Sequence, residues 1–378
     1  MMRRGTQIRM QALMSAALVL LLATTGWSQS LTWLGTLGGN QGWARSVSAD
    51  GRVVVGTSDT SENLGQFGAR LRRAFRWENG VMHDLGSLGG RWSSAFGVSA
   101  DGRVVVGSAT NASYTWRAYR WEDGVMQDLG SLGGAVVFAF GVSADGNVVV
   151  GMSANTEGYG RPFRWESGVM HDLGTLQGGY NGDAFGVSAD GSVVVGWSEN
   201  FEGWKRAVRW ANGVIQDLGT LGGLASAAKD VSANGSVIVG WSYIDEEQFR
   251  AFRWADGVMQ DLGTLGGYES VADGISADGT VVVGWSRDAT ERRRAFRWTS
   301  TGGMEDLEIT YASLLTNGSY LLEAYDISPD GRYIVGCGYN AATGRIEAFL
   351  LDTVPEPASL LALGAGLTGL LRLRRRTR

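Results

Sequence analysis

Three features of the sequence predict an all-β fold, a seven-bladed β-propeller of four-stranded antiparallel blades closed by the N-terminal strand. The pentapeptide Val-Ser-Ala-Asp-Gly returns seven times, at 47–51, 98–102, 142–146, 187–191, 231–235 (with Asn234), 275–279 (with Ile275) and 327–331 (with Ile327 and Pro329). Its serines stand roughly 44 residues apart, a period of repeat architectures. Each unit also carries a second glycine-closed turn, and two tight hairpins per unit make four antiparallel strands. The chain opens on a lone fourth strand and closes on a unit that lacks one.

Within the unit 95–134 the four segments read AFGVS (95–99), RVVVGS (103–108), RAYRW (117–121) and VMQDLG (125–130). Ser, Ala or Pro, Asp and then a left-handed Gly suit a type I turn between the first two, and the fixed φ of Pro329 fits its second position. The third and fourth segments meet through Glu78-Asn79-Gly80, Glu122-Asp123-Gly124, Glu166-Ser167-Gly168, Ala211-Asn212-Gly213 and Ala255-Asp256-Gly257. Read as a three-residue turn, the first of these would pair Trp77 with Val81 and set Arg76 and Asp84 as diagonal neighbours for a charge pair. Runs such as Val53-Val54-Val55 do not alternate with polar residues, so these strands are expected to be covered on both faces, as in a blade flanked by its copies. Leu31 to Gly39 matches a fourth strand and its joiner. The last unit offers strands near 325–328, 332–336 and 347–351 and no fourth. Joining the two remnants would complete a seventh blade and remove two sheet edges; an open β-solenoid is the rival architecture.

The 378 residues are 44% apolar and 19% charged, a globular balance, with 58 glycines against 4 prolines. A single cysteine, Cys337, excludes an internal disulfide. Residues 1–30 read as a secretory signal peptide: Arg3, Arg4 and Arg9 precede the apolar run 12–23, and Ser28 and Ser30 offer a cleavage position. At the other end Val354-Pro355-Glu356-Pro357 leads into the apolar stretch 358–371 and then Arg372, Arg374, Arg375, Arg376 and Arg378, a short membrane helix with a positive cytoplasmic tail. The chain thus divides into a signal (1–30), a repeat domain (31–352) and a C-terminal segment (353–378). Without the eight arginines of the two ends, 25 basic side chains face 38 acidic ones, a formal −13. Such a surface disfavours nucleic acid as a partner.

The order of Val354-Pro355-Glu356-Pro357, apolar span and basic end resembles the PEP-CTERM sorting signal of Gram-negative bacteria. The resemblance implies a membrane-embedded exosortase as a transient processing partner, inner-membrane anchoring through the C-terminal helix before processing, an envelope or extracellular destination, and a host that makes extracellular polysaccharide. Arg73-Ala74-Phe75-Arg76-Trp77 and its relatives at 117–121, 161–165, 206–210, 250–254 and 294–298 resemble the HAF repeat of extracellular proteins, with Arg in place of His in six copies and Glu347 in the seventh. That resemblance covers nearly all of 31–352 and implies an exported repeat protein without a transferable site.

His83 and His171 occupy a slot filled by Gln127, Gln216 and Gln260 in other units, which suits a surface hydrogen-bonding position and not a metal or general base. The turn acids, Asp50 and its equivalents, lack the alternating carboxylates of a calcium loop. Six of the fifteen tryptophans end the third strands and read as core. Trp43, Trp92, Trp116 and Trp204, with Tyr180 and Tyr268, fall in the variable second connections and joiners, which emerge on one face of a propeller. They form the candidate ligand face, suited to stacking on extracellular polysaccharide or an envelope component. The expectation is a non-catalytic binding or structural protein without cofactor or metal; the alternatives are a propeller enzyme acting on polysaccharide and a protein-interaction scaffold. An enzyme would need a repeat-breaking polar cluster near the axis, and in the sequence the departures Asp183, Lys205, Lys229, Asp230, Asp273 and Asp326 are scattered among units.

Overall fold

The computed structural model describes residues 29–63 and 70–353. The expected signal peptide lies outside the described residues except for its last two positions, as does the C-terminal helix with its tail. No helix among the described residues is long and apolar enough to cross a membrane. One compact unit spans Leu31–Leu351.

Five separate four-stranded antiparallel sheets make up its middle. They are β6 (Gly89–Val98), β7 (Val104–Asn111), β8 (Trp116–Glu122) and β9 (Val125–Asp128); β10 (Gly133–Val142), β11 (Val148–Asn155), β12 (Gly160–Glu166) and β13 (Val169–Asp172); β14 (Gly182–Val187), β15 (Val193–Glu199), β16 (Lys205–Ala211) and β17 (Val214–Asp217); β18 (Ser226–Val231), β19 (Val237–Tyr243), β20 (Phe249–Ala255) and β21 (Val258–Asp261); and β22 (Gly266–Ile275), β23 (Val281–Asp288), β24 (Arg293–Thr299) and β25 (Gly303–Asp306). A sixth, eight-stranded sheet joins the two ends of the chain. It holds β2 (Gly38–Val47), β3 (Val53–Asn63), β4 (Arg70–Glu78) and β5 (Val81–Asp84) together with β26 (Tyr320–Ile327), β27 (Tyr333–Asn340) and β28 (Arg345–Asp352). Against β28 lies β1 (Ser30–Gly35). The two halves of this sheet meet in one parallel pair, Gln41 with Ile346.

The first turn forms as its sequence predicts. The Gly51 amide donates to the Ser48 carbonyl at 3.0 Å, with Gly51 at φ 71°. The Ser48 hydroxyl donates to Asp50 Oδ1 at 2.8 Å and accepts the Val53 amide at 3.0 Å, so serine and aspartate hold the turn shut from inside. The second turn differs from the three-residue expectation. Glu78 pairs with Val81 and Trp77 with Met82, leaving only Asn79 and Gly80 in the loop, at φ 51° and 82°. Positive φ at both positions is a type I′ hairpin, whose twist matches that of the strands.

That register overturns the expected Arg76–Asp84 pair. Arg76 stands opposite His83 and Asp84 opposite Phe75. The Arg76 guanidinium binds Glu78 at 2.7 Å and the Gly102 carbonyl of the following unit at 3.3 Å, a clamp that Arg120 repeats on Glu122 and Gly146. Three fourth-strand aspartates pair instead with the second residue of the third strand: Arg117–Asp128 at 3.0 Å, Arg161–Asp172 at 2.9 Å and Arg206–Asp217 at 3.1 Å. Fourth-strand aspartates also cap the next turn: Asp84 Oδ1 accepts the Gly86 amide at 2.8 Å.

Apolar burial falls between successive units. Among the described residues seven core clusters occur, and each draws on two neighbouring units. One joins Val53, Val55 and Ala74 to Ala95, Val105 and Tyr119. Another joins Leu34, Ala44, Val54 and Phe75 to Val335, Ala348 and Leu350, from opposite ends of the chain. The valine runs are buried on both faces because each strand packs on the unit before it and the unit after it.

Candidate functional site

The alanine three residues before the Val or Ile that ends each first strand marks an irregularity that builds the centre of the molecule. In all seven units the pairing of first and second strand slips by one residue directly after the alanine, at Arg45, Phe96, Phe140, Phe185, Lys229, Asp273 and Tyr325. A bulge of this kind leaves one residue outside the ladder and re-aims its side chain. The glycine closing each valine run makes room for it: a Cβ on Gly107 would lie 2.0 Å from the Ser94 carbonyl oxygen, and one on Gly151 1.9 Å from that of Phe138.

All seven bulged residues line a single cavity of about 640 Å³. Three of them form an apolar arc: Phe96 to Phe140 at 5.6 Å between ring centres, Phe140 to Phe185 at 5.2 Å. The Lys229 ammonium sits 4.4 Å over Phe185, and the Arg45 guanidinium 4.0 Å over Tyr325. Asp273 occupies the arc between those cations. Its Oδ2 is closed off from solvent without a hydrogen-bond partner, and so is Arg45 Nε.

Beside each bulge is a position that is glycine in four units, because a Cβ there would press on the next unit: 2.6 Å from the Phe185 carbonyl oxygen for Gly141. Asp230 and Asp326 use this closeness to bond across. Asp230 accepts the amides of Val231 at 2.7 Å and of Ile275, in the next unit, at 3.0 Å. Asp326 accepts the Ile327 amide at 2.8 Å, the Val47 amide at 3.0 Å and the Ser46 hydroxyl at 2.8 Å.

Burial, the nearby Asp326 charge and weaker repulsion from Asp273 push the Asp230 carboxyl up to about 7 against the pull of its two amides. Burial does the same to Asp273, to about 7, opposed first by Lys229, and to Asp326, to about 6, opposed by its hydrogen bonds. Asp183 is raised by burial despite a 2.8 Å bond from Trp197 Nε1 and the charges of Lys205 and Lys229. Four of the six repeat-breaking residues that look scattered in the sequence therefore converge: Lys229, Asp230, Asp273 and Asp326 share this cavity, with Asp183 close enough to feel Lys229, while Lys205 lies outside its lining, 4.2 Å over Trp197. Lys229 and Asp273 hold the bulge position of their units and Asp230 and Asp326 the position after it, an alignment that the sequence reading did not draw.

One rim of the cavity is a string of backbone hydrogen bonds through the turns. The amide of Ala49 donates to the carbonyl of Ala100, Ala100 to Ala144, Ala144 to Ala189, Ala189 to Ala233, Ala233 to Ala277 and Ala277 to Pro329, all at 2.9–3.1 Å. Pro329 has no amide hydrogen with which to continue it.

Of the aromatic residues expected on a ligand face, Trp116, Tyr180, Trp204 and Tyr268 lie at or near the strand ends away from these turns, whereas Trp43 and Trp92 lie within β2 and β6. Trp204, Tyr180 and Tyr268 are exposed. Trp43, Trp92 and Trp116 are half-buried: Trp43 carries the Arg72 guanidinium at 4.8 Å, Trp92 meets Tyr114 edge-on at 6.1 Å, and Trp116 rests on Phe138 at 5.8 Å. Tyr180 stacks on Tyr159 at 4.9 Å. His83 and His171 are exposed, and no group of metal-ligating side chains occurs among the described residues. The sorting residues 354–357 and 374–376 fall outside the described residues.

Residues 353–376 match the PEP-CTERM protein-sorting motif. The motif points to an exported, envelope-associated protein sorted by an exosortase. None of the curated proteins matches the sequence. Among solved structures the chain is similar to the β-propeller domain of the Trilobed protease from Pyrococcus furiosus, described as having an open velcro topology, with a TM-score of 0.52, 7% identity, and 87% of this chain and 98% of that one covered. It is also similar to the β-propeller domain of Cps50 (Swd1) from Myceliophteria thermophila, with a TM-score of 0.50, 12% identity and 84% and 99% covered. TolB from Acinetobacter baumannii gives 0.47 and 12% over 82% of this chain, which spans 65% of TolB's length. At these identities the likeness concerns the fold alone, that of β-propellers.

Proposed function

We propose that the protein is a seven-bladed β-propeller closed by β1, delivered to the cell envelope or extracellular matrix by an exosortase, where it binds without catalysis. The pairing of β1 with β28, the core cluster shared by first and last units, and the bonds from Ser46 and Val47 to Asp326 support closure. The Arg-Ala-Phe-Arg-Trp elements, similar to HAF repeats, agree with an exported repeat protein.

One observation carries the binding role. Every exposed aromatic residue among the described ones (Tyr114, Tyr159, Tyr180, Phe201, Trp204 and Tyr268) stands at the end of the strands opposite the Ser-Ala-Asp-Gly turns. Polar loops that hold out aromatic rings stack on sugars, and the connections there vary while the opposite turns repeat. The partner in this reading is extracellular polysaccharide. Replacing Tyr180, Trp204 and Tyr268 together by Ala should abolish retention on matrix polysaccharide and leave thermal unfolding unchanged; undiminished retention removes the glycan reading.

The central acids favour binding over catalysis. An acid–base pair needs two carboxyls free to exchange protons with a substrate. Both oxygens of Asp230 and of Asp326 are committed to backbone amides, which leaves Asp273 alone.

A further inference from the structure

The cavity at the centre is a second site, independent of the aromatic loop end, and its lining specifies a ligand. Buried polar atoms in folded proteins are nearly always paired, and an unpaired one is costly. Five side-chain atoms among the described residues are closed off from solvent and unpaired, and two of them, Asp273 Oδ2 and Arg45 Nε, belong to residues that line this one cavity. One is an acceptor and the other a donor. Neither Asp273 nor Arg45 forms an ion pair among the described residues, while Lys229, the second cation on the lining, rests on the face of Phe185.

Across from these charges lies the arc of Phe96, Phe140 and Phe185, three successive units that present rings where the others present charge or phenol. A cavity of about 640 Å³ lies within the range of small-molecule sites, apolar with a few convergent polar groups. A neutral apolar molecule would leave Asp273 and Arg45 unpaired. A simple anion would satisfy Arg45 and crowd Asp273, and a simple cation would do the reverse.

We propose that the central cavity binds a small zwitterion with an apolar ring, the chemistry of an aromatic α-amino acid. The ring packs on the phenylalanine arc, the ammonium donates to the Asp273 carboxylate, and the ligand carboxylate accepts from the Arg45 guanidinium with Lys229 as the second positive neighbour. No covalent step is involved. Asp230 and Asp326, held by backbone amides, shape the wall and do not touch the ligand.

Isothermal titration of the purified protein with L-phenylalanine tests this, alongside benzoate, which lacks the ammonium, and phenethylamine, which lacks the carboxylate. Saturable binding of phenylalanine is expected, at least tenfold tighter than either fragment. Asp273→Asn and Arg45→Met should each weaken it tenfold or more. Both residues lack hydrogen-bond partners at the named atoms, so both variants should fold, and their melting curves check this. Tyr180→Ala with Trp204→Ala should leave phenylalanine binding unchanged, which separates this site from the polysaccharide face. Absence of saturable binding by the folded wild type, equal affinity for benzoate, or indifference to Asp273→Asn and Arg45→Met would each overturn the assignment.

Discussion

The amide of Val47 donates to Oδ2 of Asp326 at 3.0 Å, between residues 279 positions apart in the chain. Ile275 makes the same bond to Asp230 at 3.0 Å between the fifth unit and the sixth. The last unit thus faces the first as the fifth faces the sixth. This is also the junction where Pro329 interrupts the string of turn hydrogen bonds, so the side chain of Asp326 supplies a link where the backbone cannot.

Asp326→Ala should destabilise the fold by about 1–3 kcal/mol, since it strands the buried amide of Val47. Ser46→Ala should cost less, and the double variant less than the sum, because both changes remove the same bond. Urea unfolding of the four proteins measures the coupling; strict additivity would separate Ser46 from Asp326.

Leu34 in β1 is buried, and Trp33 meets Phe349 edge-on at 6.4 Å. Leu34→Ala should cost about 2–5 kcal/mol, as for other core truncations. Deletion of residues 31–37 should cost more and expose the edge of β28 to aggregation. A truncated protein that melts with the wild type would refute closure by this strand.

Stability should peak at mildly acid pH. Asp230, Asp273 and Asp326 titrate higher in the fold than in the unfolded chain, so the stability they contribute is full below about pH 4 and is lost as pH rises through 6 to 7. Arg45 and Lys229 limit the loss without reversing it. The turn acids act oppositely: hydrogen bonds from Ser188 and Ser192 hold Asp190 down to about 2, so its contribution is present at neutral pH and lost in strong acid. The melting temperature should fall by several degrees between about pH 5.5 and 8, and Asp273→Asn should flatten the slope. A melting temperature that rises across this interval would contradict the assignment.

Much of this fold is legible in the sequence because its determinants are local. The serine, aspartate and glycine of the first turn each bond within five residues, and the valine runs declare burial on both faces. Two features escaped for opposite reasons. The choice between a two- and a three-residue second turn depends on whether Asn79 takes a positive φ, which its residue type permits without requiring; that single step moved the partner of Asp128 from Arg120 to Arg117. The cavity escaped because a bulge has no period: Lys229 and Asp273 look like unrelated departures, and Arg45 draws no notice, until the slip after each alanine turns them to a common centre. The exposure of Trp204, Tyr180 and Tyr268 followed from their place in variable connections, whereas the half-burial of Trp43 and Trp92 depends on neighbours distant in sequence, Arg72 in β4 and Tyr114 in the loop after β7.

Two glycine substitutions separate space from strain. A Cβ at Gly80 meets nothing within 4 Å but sits at φ 82°, so Gly80→Ala should cost about 1–2 kcal/mol. At Gly107 the Cβ would lie 2.0 Å from a carbonyl oxygen, and Gly107→Ala should cost about 3 kcal/mol or more and disturb the Phe96 bulge. Equal losses in chemical denaturation would show that the bulge does not depend on that glycine.

In the native host the motif at 353–376 should be processed near residues 355–358. Mass spectrometry of the envelope fraction should find the protein without Arg378. An intact C-terminus as the main species would mean that the segment stays as an anchor.

The bulged residues stand outside the hydrogen-bond ladder, one to a unit, each between an alanine and a small or acidic neighbour. A substitution at such a position alters the lumen without disturbing strand register. The seven sites therefore act as separately editable letters on a constant frame. A change of cargo across related chains would be written in those seven letters, while the turns and valine runs stay fixed.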